Sequence, residues 1–132
     1  MKLINSAARN KAVGPYSQAV ATHNLFYSSG VIGLGEDGAL VDGLVEQVHA
    51  IFENIVSVLS EERLTLMHVI KTTVYLTNMN DYVLFNEIYA KKFGGHRPAR
   101  STVQVARLPK DALVEIEFIA EGGEVRRIAN GE

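Results

Sequence analysis

The stretch Leu113-Val114-Glu115-Ile116-Glu117-Phe118-Ile119-Ala120 decides the fold. In an extended chain successive side chains point to opposite faces, so alternate residues share a surface. Val114, Ile116, Phe118 and Ala120 make one wholly apolar face, while Leu113, Glu115, Glu117 and Ile119 make the other. The apolar face calls for a covering layer of helices. The mixed face suits neither a core nor plain solvent, and it points to a surface on which subunits associate.

The segments around it supply the layers. Val69 to Leu76 (VIKTTVYL) is rich in β-branched and aromatic residues and reads as a strand with Ile70, Thr72, Val74 and Leu76 on one face. A strand from Arg100 to Ala106 is joined to Leu113–Ala120 by the turn sequence Leu108-Pro109-Lys110-Asp111, which makes the two neighbours in the sheet. Ser17 to Thr22 and Leu25 to Ser29 read as a hairpin closed at His23-Asn24, with Asn24 supplying the positive φ, and a short strand follows at Val31–Leu34. Two segments switch to helical spacing. From Asp42, a plausible N-cap, Leu44, Val48, Ile51, Phe52, Ile55 and Leu59 recur every three or four residues to about Ser60. After Asn78 or Asn80, Tyr82, Phe85, Tyr89 and Phe93 do the same until Gly94-Gly95. The expected fold is α+β, a mixed sheet with two helices packed on one face, in a homo-oligomer.

With 132 residues the chain is one domain's worth of protein, and its 47% hydrophobic and 21% charged composition is that of a globular domain. No apolar run reaches the roughly 18 residues of a membrane helix. There is no cysteine, hence no disulfide, thiolate metal site or cysteine nucleophile, as suits a reducing compartment. A net charge of −2 argues against a protein that lives on nucleic acid or anionic lipid. The first acidic residue is Glu36, but strand-like sequence from Ser17 leaves little room for a removable leader, so the chain reads as cytoplasmic and complete. The residues after Gly122-Gly123 read as an exposed tail.

Local motifs are mostly bland. Gly33-Leu34-Gly35-Glu36-Asp37-Gly38 matches the dinucleotide pattern, but Ala39-Leu40-Val41 intervenes before any helix and the acidic pair would repel phosphate, so it reads as a hairpin turn. His23, His49, His68 and His96 fall at no metal-ligand spacing. No G-x-S-x-G elbow exposes a serine nucleophile. Tyr82, Phe85 and Tyr89 read as core aromatics rather than a base-stacking platform. Gly14-Pro15-Tyr16-Ser17-Gln18 is a rigid turn entering a strand. Arg100 with Glu115 has two readings: an ion pair ordering an interface, or an arginine fork for a planar carboxylate.

Taken together, GPYSQAV (14–20), YSSG (27–30), VIKTTVYLTNMNDY (69–82), NEIYAKKF (86–93) and, most specific, RPARSTVQVARLPKDALVEIEFIA (97–120) resemble the Rid family of reactive-intermediate imine and enamine deaminases, also called the YjgF family. The match covers about residues 14–120 of a single domain 1–132, leaving 121–132 as the exposed tail. The resemblance implies a chorismate-mutase-like fold, a homotrimer with clefts between subunits, and no cofactor. It implies hydrolysis of 2-aminoacrylate and 2-iminobutanoate to 2-keto acids and ammonia. By the same carry-over Arg100 binds the substrate carboxylate and Glu115 holds or activates water, while Tyr16, Ser29, Gly30, Asn86 and Thr102 line the cleft. Val31 and Thr102 depart from the Gln and Cys of many members and imply an altered substrate preference. The alternative function is a module of the same fold that binds small carboxylates such as 2-keto acids without turnover. A chaperone-like or RNA-directed role is a third class, and the acidic balance disfavours its RNA version.

Overall fold

The computed structural model describes residues 1–6, 12 and 14–123. Seven strands form one mixed sheet: β1 (Lys2–Ile4), β2 (Ala19–Thr22), β3 (Leu25–Ser28), β4 (Val31–Ile32), β5 (Val69–Leu76), β6 (Ala99–Gln104) and β7 (Val114–Glu121). The helices are α1 (Leu44–Ser60) and α2 (Tyr82–Phe93). The spatial order is β1-β2-β3-β7-β5-β6, with β4 on the same side of β7 as β3. All pairs are antiparallel except β5 with β6.

β7 is the hub, as its alternation requires. Val114, Ile116, Phe118 and Ala120 are all at most 2% exposed and pack with Val74, Leu76 and the helix residues Val48, Ile51, Ile55, Leu59 and Phe85 in the main core. Every member of the α1 stripe expected from spacing is buried. Gln47, 3% exposed, accepts the Leu113 N–H at 2.8 Å and donates to the Val41 carbonyl at 3.1 Å, fixing the start of β7 to α1. A second, smaller apolar cluster lies at one end of the sheet, where Ile32, Leu34, Leu108 and Ala112 pack with Leu40, Val105 and Tyr75.

Five local expectations are corrected. The strand before β7 is not its neighbour: β5 lies between β6 and β7. The turn residues Pro109–Asp111 form a single 3-10 turn in a crossover and not a hairpin. In β5, a bulge between Val69 and Lys71 puts Val69 on the core face opposite Ala120 and leaves Ile70 out at 44% exposure. At the β2–β3 turn the positive φ falls on His23 (51°), not Asn24. The N-cap of helix α1 is Gly43, with a φ of 86° that suits glycine, and not Asp42, and no side chain caps the helix. The Gly33–Gly38 segment does form a tight turn, closed by the Leu34–Leu40 bridge and by Gly35 N–H to the Ala39 carbonyl at 2.8 Å. Of the expected tail, Glu121 ends β7 and is exposed, whereas 124–132 lie outside the described residues.

Candidate active site

The expected site residues fall into two groups. The β5–β6 register pairs Thr72 with Arg100 and Val74 with Thr102, so Arg100 and Thr102 share the helix face with two core residues. The β5–β7 register pairs Tyr75 with Glu115 and Thr73 with Glu117, which places both glutamates on the opposite face. Arg100 and Glu115 of one chain therefore stand on opposite sides of the sheet, and the ion pair imagined from their spacing does not form within the chain.

The first group is built on the sheet edge by α2. Asn86 lies on the face of α2 turned toward β6, and its Oδ1 accepts from Arg100 Nη2 at 2.9 Å; Tyr82 Oη accepts from the same nitrogen at 3.3 Å. The guanidinium also stands over three rings, 4.8 Å from the centroid of Tyr89, 5.6 Å from Tyr82 and 5.8 Å from Phe85. Ring faces attract cations but do not neutralise them. Among the described residues no carboxylate comes within ion-pair distance of Arg100. Two residues along the same face, the Thr102 hydroxyl is buried with no hydrogen-bond partner among the described residues. A half-buried cation held by neutral groups, beside an unused hydroxyl, is what an anion-binding position requires.

The second group gathers where the ladder along β7 is interrupted between β3 and β4. β3 pairs with Ile119–Glu121 and β4 with Glu115–Ile116, so Ser29-Gly30 leaves the ladder between them. Ser29 is tied back to the turn, its Oγ donating to the Ser17 carbonyl at 2.7 Å and its N–H to the Gln18 carbonyl at 2.9 Å. Tyr16, 45% exposed, folds its ring over Gly14 at the mouth of the same turn. Gly30 lies against the Glu115 carboxyl so closely that an added Cβ would stand 2.6 Å from its Cδ. Glu115 also shares its row with Ile32 and Tyr75, both in the smaller apolar cluster. Burial there pushes its carboxyl above the usual carboxylate range, and the nearby Glu117 charge adds to the effect. Tyr75 Oη donates to Glu117 Oε1 at 2.5 Å; that bond, with burial and the two carboxylate charges, pushes the phenol up to about 12.

The family described as Endoribonuclease L-PSP matches residues 6–122. The chain belongs to this family, the Rid or YjgF family. A mouse relative named 2-iminobutanoate/2-iminopropanoate deaminase is 43% identical over 124 residues, covering 92% of each chain. A crystal structure of a Thermotoga maritima protein, described as a putative endoribonuclease, superposes with a TM-score of 0.89 at 40% identity and covers 94% of this chain and 99% of its own. The structure of Escherichia coli TdcF with bound serine gives 0.87 at 34% identity, covering 93% and 100%. Some other relatives are named only as RutC family proteins or as a putative regulator.

Within this Rid chain, sequence reasoning missed the surroundings of Arg100. Tyr89 is the core aromatic it reads as, 7% exposed, but Tyr82 is 38% exposed, and both rings face the guanidinium. The signal was present: Asn86 lies four residues after Tyr82 and three before Tyr89, so the three polar tips share one helix face. Among the described residues no group of three His, Asp, Glu or Cys side chains could hold a metal ion, and no helix is long and apolar enough to cross a membrane.

Proposed function

We propose that this protein hydrolyses short 2-imino acids and their enamine tautomers, of the 2-aminoacrylate and 2-iminobutanoate type, to 2-keto acids and ammonia. The observation that carries the reading is the Arg100 guanidinium, half-buried, positioned by Asn86 and free of any acidic partner among the described residues. Family membership and the mouse relative's name support the reaction class. Because Arg100 and Glu115 occupy opposite faces of one sheet, the working site takes its halves from two subunits of a homotrimer. Arg100, Asn86 and Thr102 come from one subunit, and Tyr16, Ser29, Gly30 and Glu115 from its neighbour. The half-apolar open face, with Tyr27 and Val103 each 43% exposed, supports association through that surface.

The chemistry follows from the groups. Arg100 grips the substrate carboxylate and fixes the C=N carbon beside a water molecule. Glu115 takes a proton from that water as its oxygen bonds to the carbon and the C=N π electrons move to nitrogen. Glu115 returns that proton to the nitrogen, completing the carbinolamine; it then takes the hydroxyl proton and passes it to the amino group, whose C–N bond breaks to release ammonia as the keto C=O forms. A carboxyl raised by burial is a stronger base than an ordinary one, which suits this exchange.

The test is the disappearance of 2-iminobutanoate, generated in situ, timed in buffer, with wild type and with Arg100→Ala. Acceleration by wild type alone supports the reading. Saturable 2-keto acid binding with no rate above buffer would replace it with the small-carboxylate binding module.

A further inference from the structure

Beneath Arg100 is a closed circuit of contacts. Thr72 is its cross-strand partner in the β5–β6 ladder and is 1% exposed. The Thr72 hydroxyl and the Tyr89 hydroxyl form a buried hydrogen bond of 2.8 Å. The Tyr89 ring, 7% exposed, is the nearest of the three that carry the guanidinium. It is wedged between Phe85 and Phe93 at centroid distances of 5.5 and 4.9 Å, with Phe52 edge-on at 6.0 Å. Backbone pairing thus sets Thr72 against Arg100, Thr72 sets Tyr89, and Tyr89 sets the far end of the Arg100 side chain.

We propose that the Thr72–Tyr89 hydrogen bond is a lock that positions Arg100 for its carboxylate, which makes Tyr89 and Thr72 positioning residues of the site. The inference rests on the reading of Arg100 as the carboxylate clamp. A core tyrosine kept only for volume would need no partner for its hydroxyl beyond satisfaction, and phenylalanine would serve. Here the hydroxyl is bonded to the residue that faces Arg100 across the strand, so its loss removes the hydrogen bond that ties the ring under the guanidinium to β5. An arginine side chain has several rotatable bonds, and ordering it before the ligand arrives removes that entropy from the binding step. Asn86 and Tyr82 fix one edge of the guanidinium and Tyr89 its face.

The experiment compares wild type, Thr72→Val, Tyr89→Phe, the double variant and Thr72→Ser. 2-Ketobutyrate, a stable carboxylate of the product class, is titrated calorimetrically, and kcat and KM are measured on 2-iminobutanoate generated in situ. Losing one buried hydrogen bond corresponds to a change of roughly 2- to 12-fold, expected here as weaker Kd and higher KM with kcat within about twofold. The double variant matches the single ones, because both remove the same bond, and Thr72→Ser keeps wild-type affinity. Unchanged affinity in both single variants, losses that multiply in the double, or a fall in kcat at constant KM overturns the lock. Hydrogen exchange of the Arg100 Nε–H, followed by NMR without ligand, separates this inference from the deaminase reading. Faster exchange in Thr72→Val and Tyr89→Phe supports the lock even if wild type hydrolyses no imine, and unchanged exchange overturns it whatever the turnover.

Discussion

Gly30→Ala isolates the placement of Glu115. The backbone at Gly30 lies outside the left-handed region, so alanine is not excluded by its dihedrals. Its cost is contact: the new Cβ would stand 2.6 Å from Glu115 Cδ and 3.1 Å from its Cγ, where carbon atoms normally rest about 3.5–4.0 Å apart. The carboxyl must therefore move by about 1 Å. It is the end of a flexible side chain, so stability changes by no more than about 1 kcal/mol and Tm by about 4 °C. A group displaced by about 1 Å from its reacting atoms loses on the order of 10²-fold in rate. The expected result is a kcat lowered by about two orders of magnitude in a protein that melts nearly as wild type does, and a double variant with Glu115→Gln that is no slower than Glu115→Gln alone. Wild-type kcat in Gly30→Ala, with Glu115→Gln alone inactive, would refute the placement of the carboxyl against Gly30. A Tm lowered by more than about 10 °C would refute the claim that only a side-chain end is displaced.

Glu115 also predicts two pH dependences. As a base it must be ionised, so the acid limb of kcat/KM lies above the ordinary carboxylate range and disappears in Glu115→Gln. Its folded pKa exceeds its unfolded one, so between the two the folded state holds more protons and stability falls as pH rises, a slope that Glu115→Gln flattens in denaturant titrations across that window. Leu59→Ala removes a side chain that is 0% exposed in the main core and costs about 2–5 kcal/mol in chemical denaturation. Asp111→Asn removes the charge from the exposed 2.7 Å pair with Arg107 while keeping a side chain that tolerates the φ of 57° at this position, and it changes stability by less than about 1 kcal/mol.

What the sequence disclosed, and what it hid, follow the range of the interactions involved. β5 was legible to the residue at both ends because β-branched and aromatic side chains crowd it, and the α1 stripe because six apolar residues keep helical spacing. The parallel β5–β6 pair was hidden, since parallel register depends on a crossover and not on a turn. That omission alone made Arg100 and Glu115 look like neighbours. The bulge at Ile70 was hidden too, because an extra residue in a ladder leaves the composition of the strand unchanged. The identities of Arg100, Glu115 and Gly30 came from resemblance, whereas their distribution over two faces needed the register. The Thr72–Tyr89 contact joins a strand to a helix 17 residues on; pattern reading puts each residue on an apolar face but does not pair their hydroxyls.

The central claim is that one hydrolytic site takes Arg100 from one subunit and Glu115 from the next, and subunit mixing tests it most directly. Arg100→Ala and Glu115→Gln are assayed on 2-iminobutanoate separately and after co-expression in equal amounts. In a randomly mixed trimer an interface is intact when an unaltered Arg100 meets an unaltered Glu115, which gives about a quarter of the wild-type rate from two inactive parents. A mixture no faster than its parents, while wild type accelerates hydrolysis, would contradict the shared site.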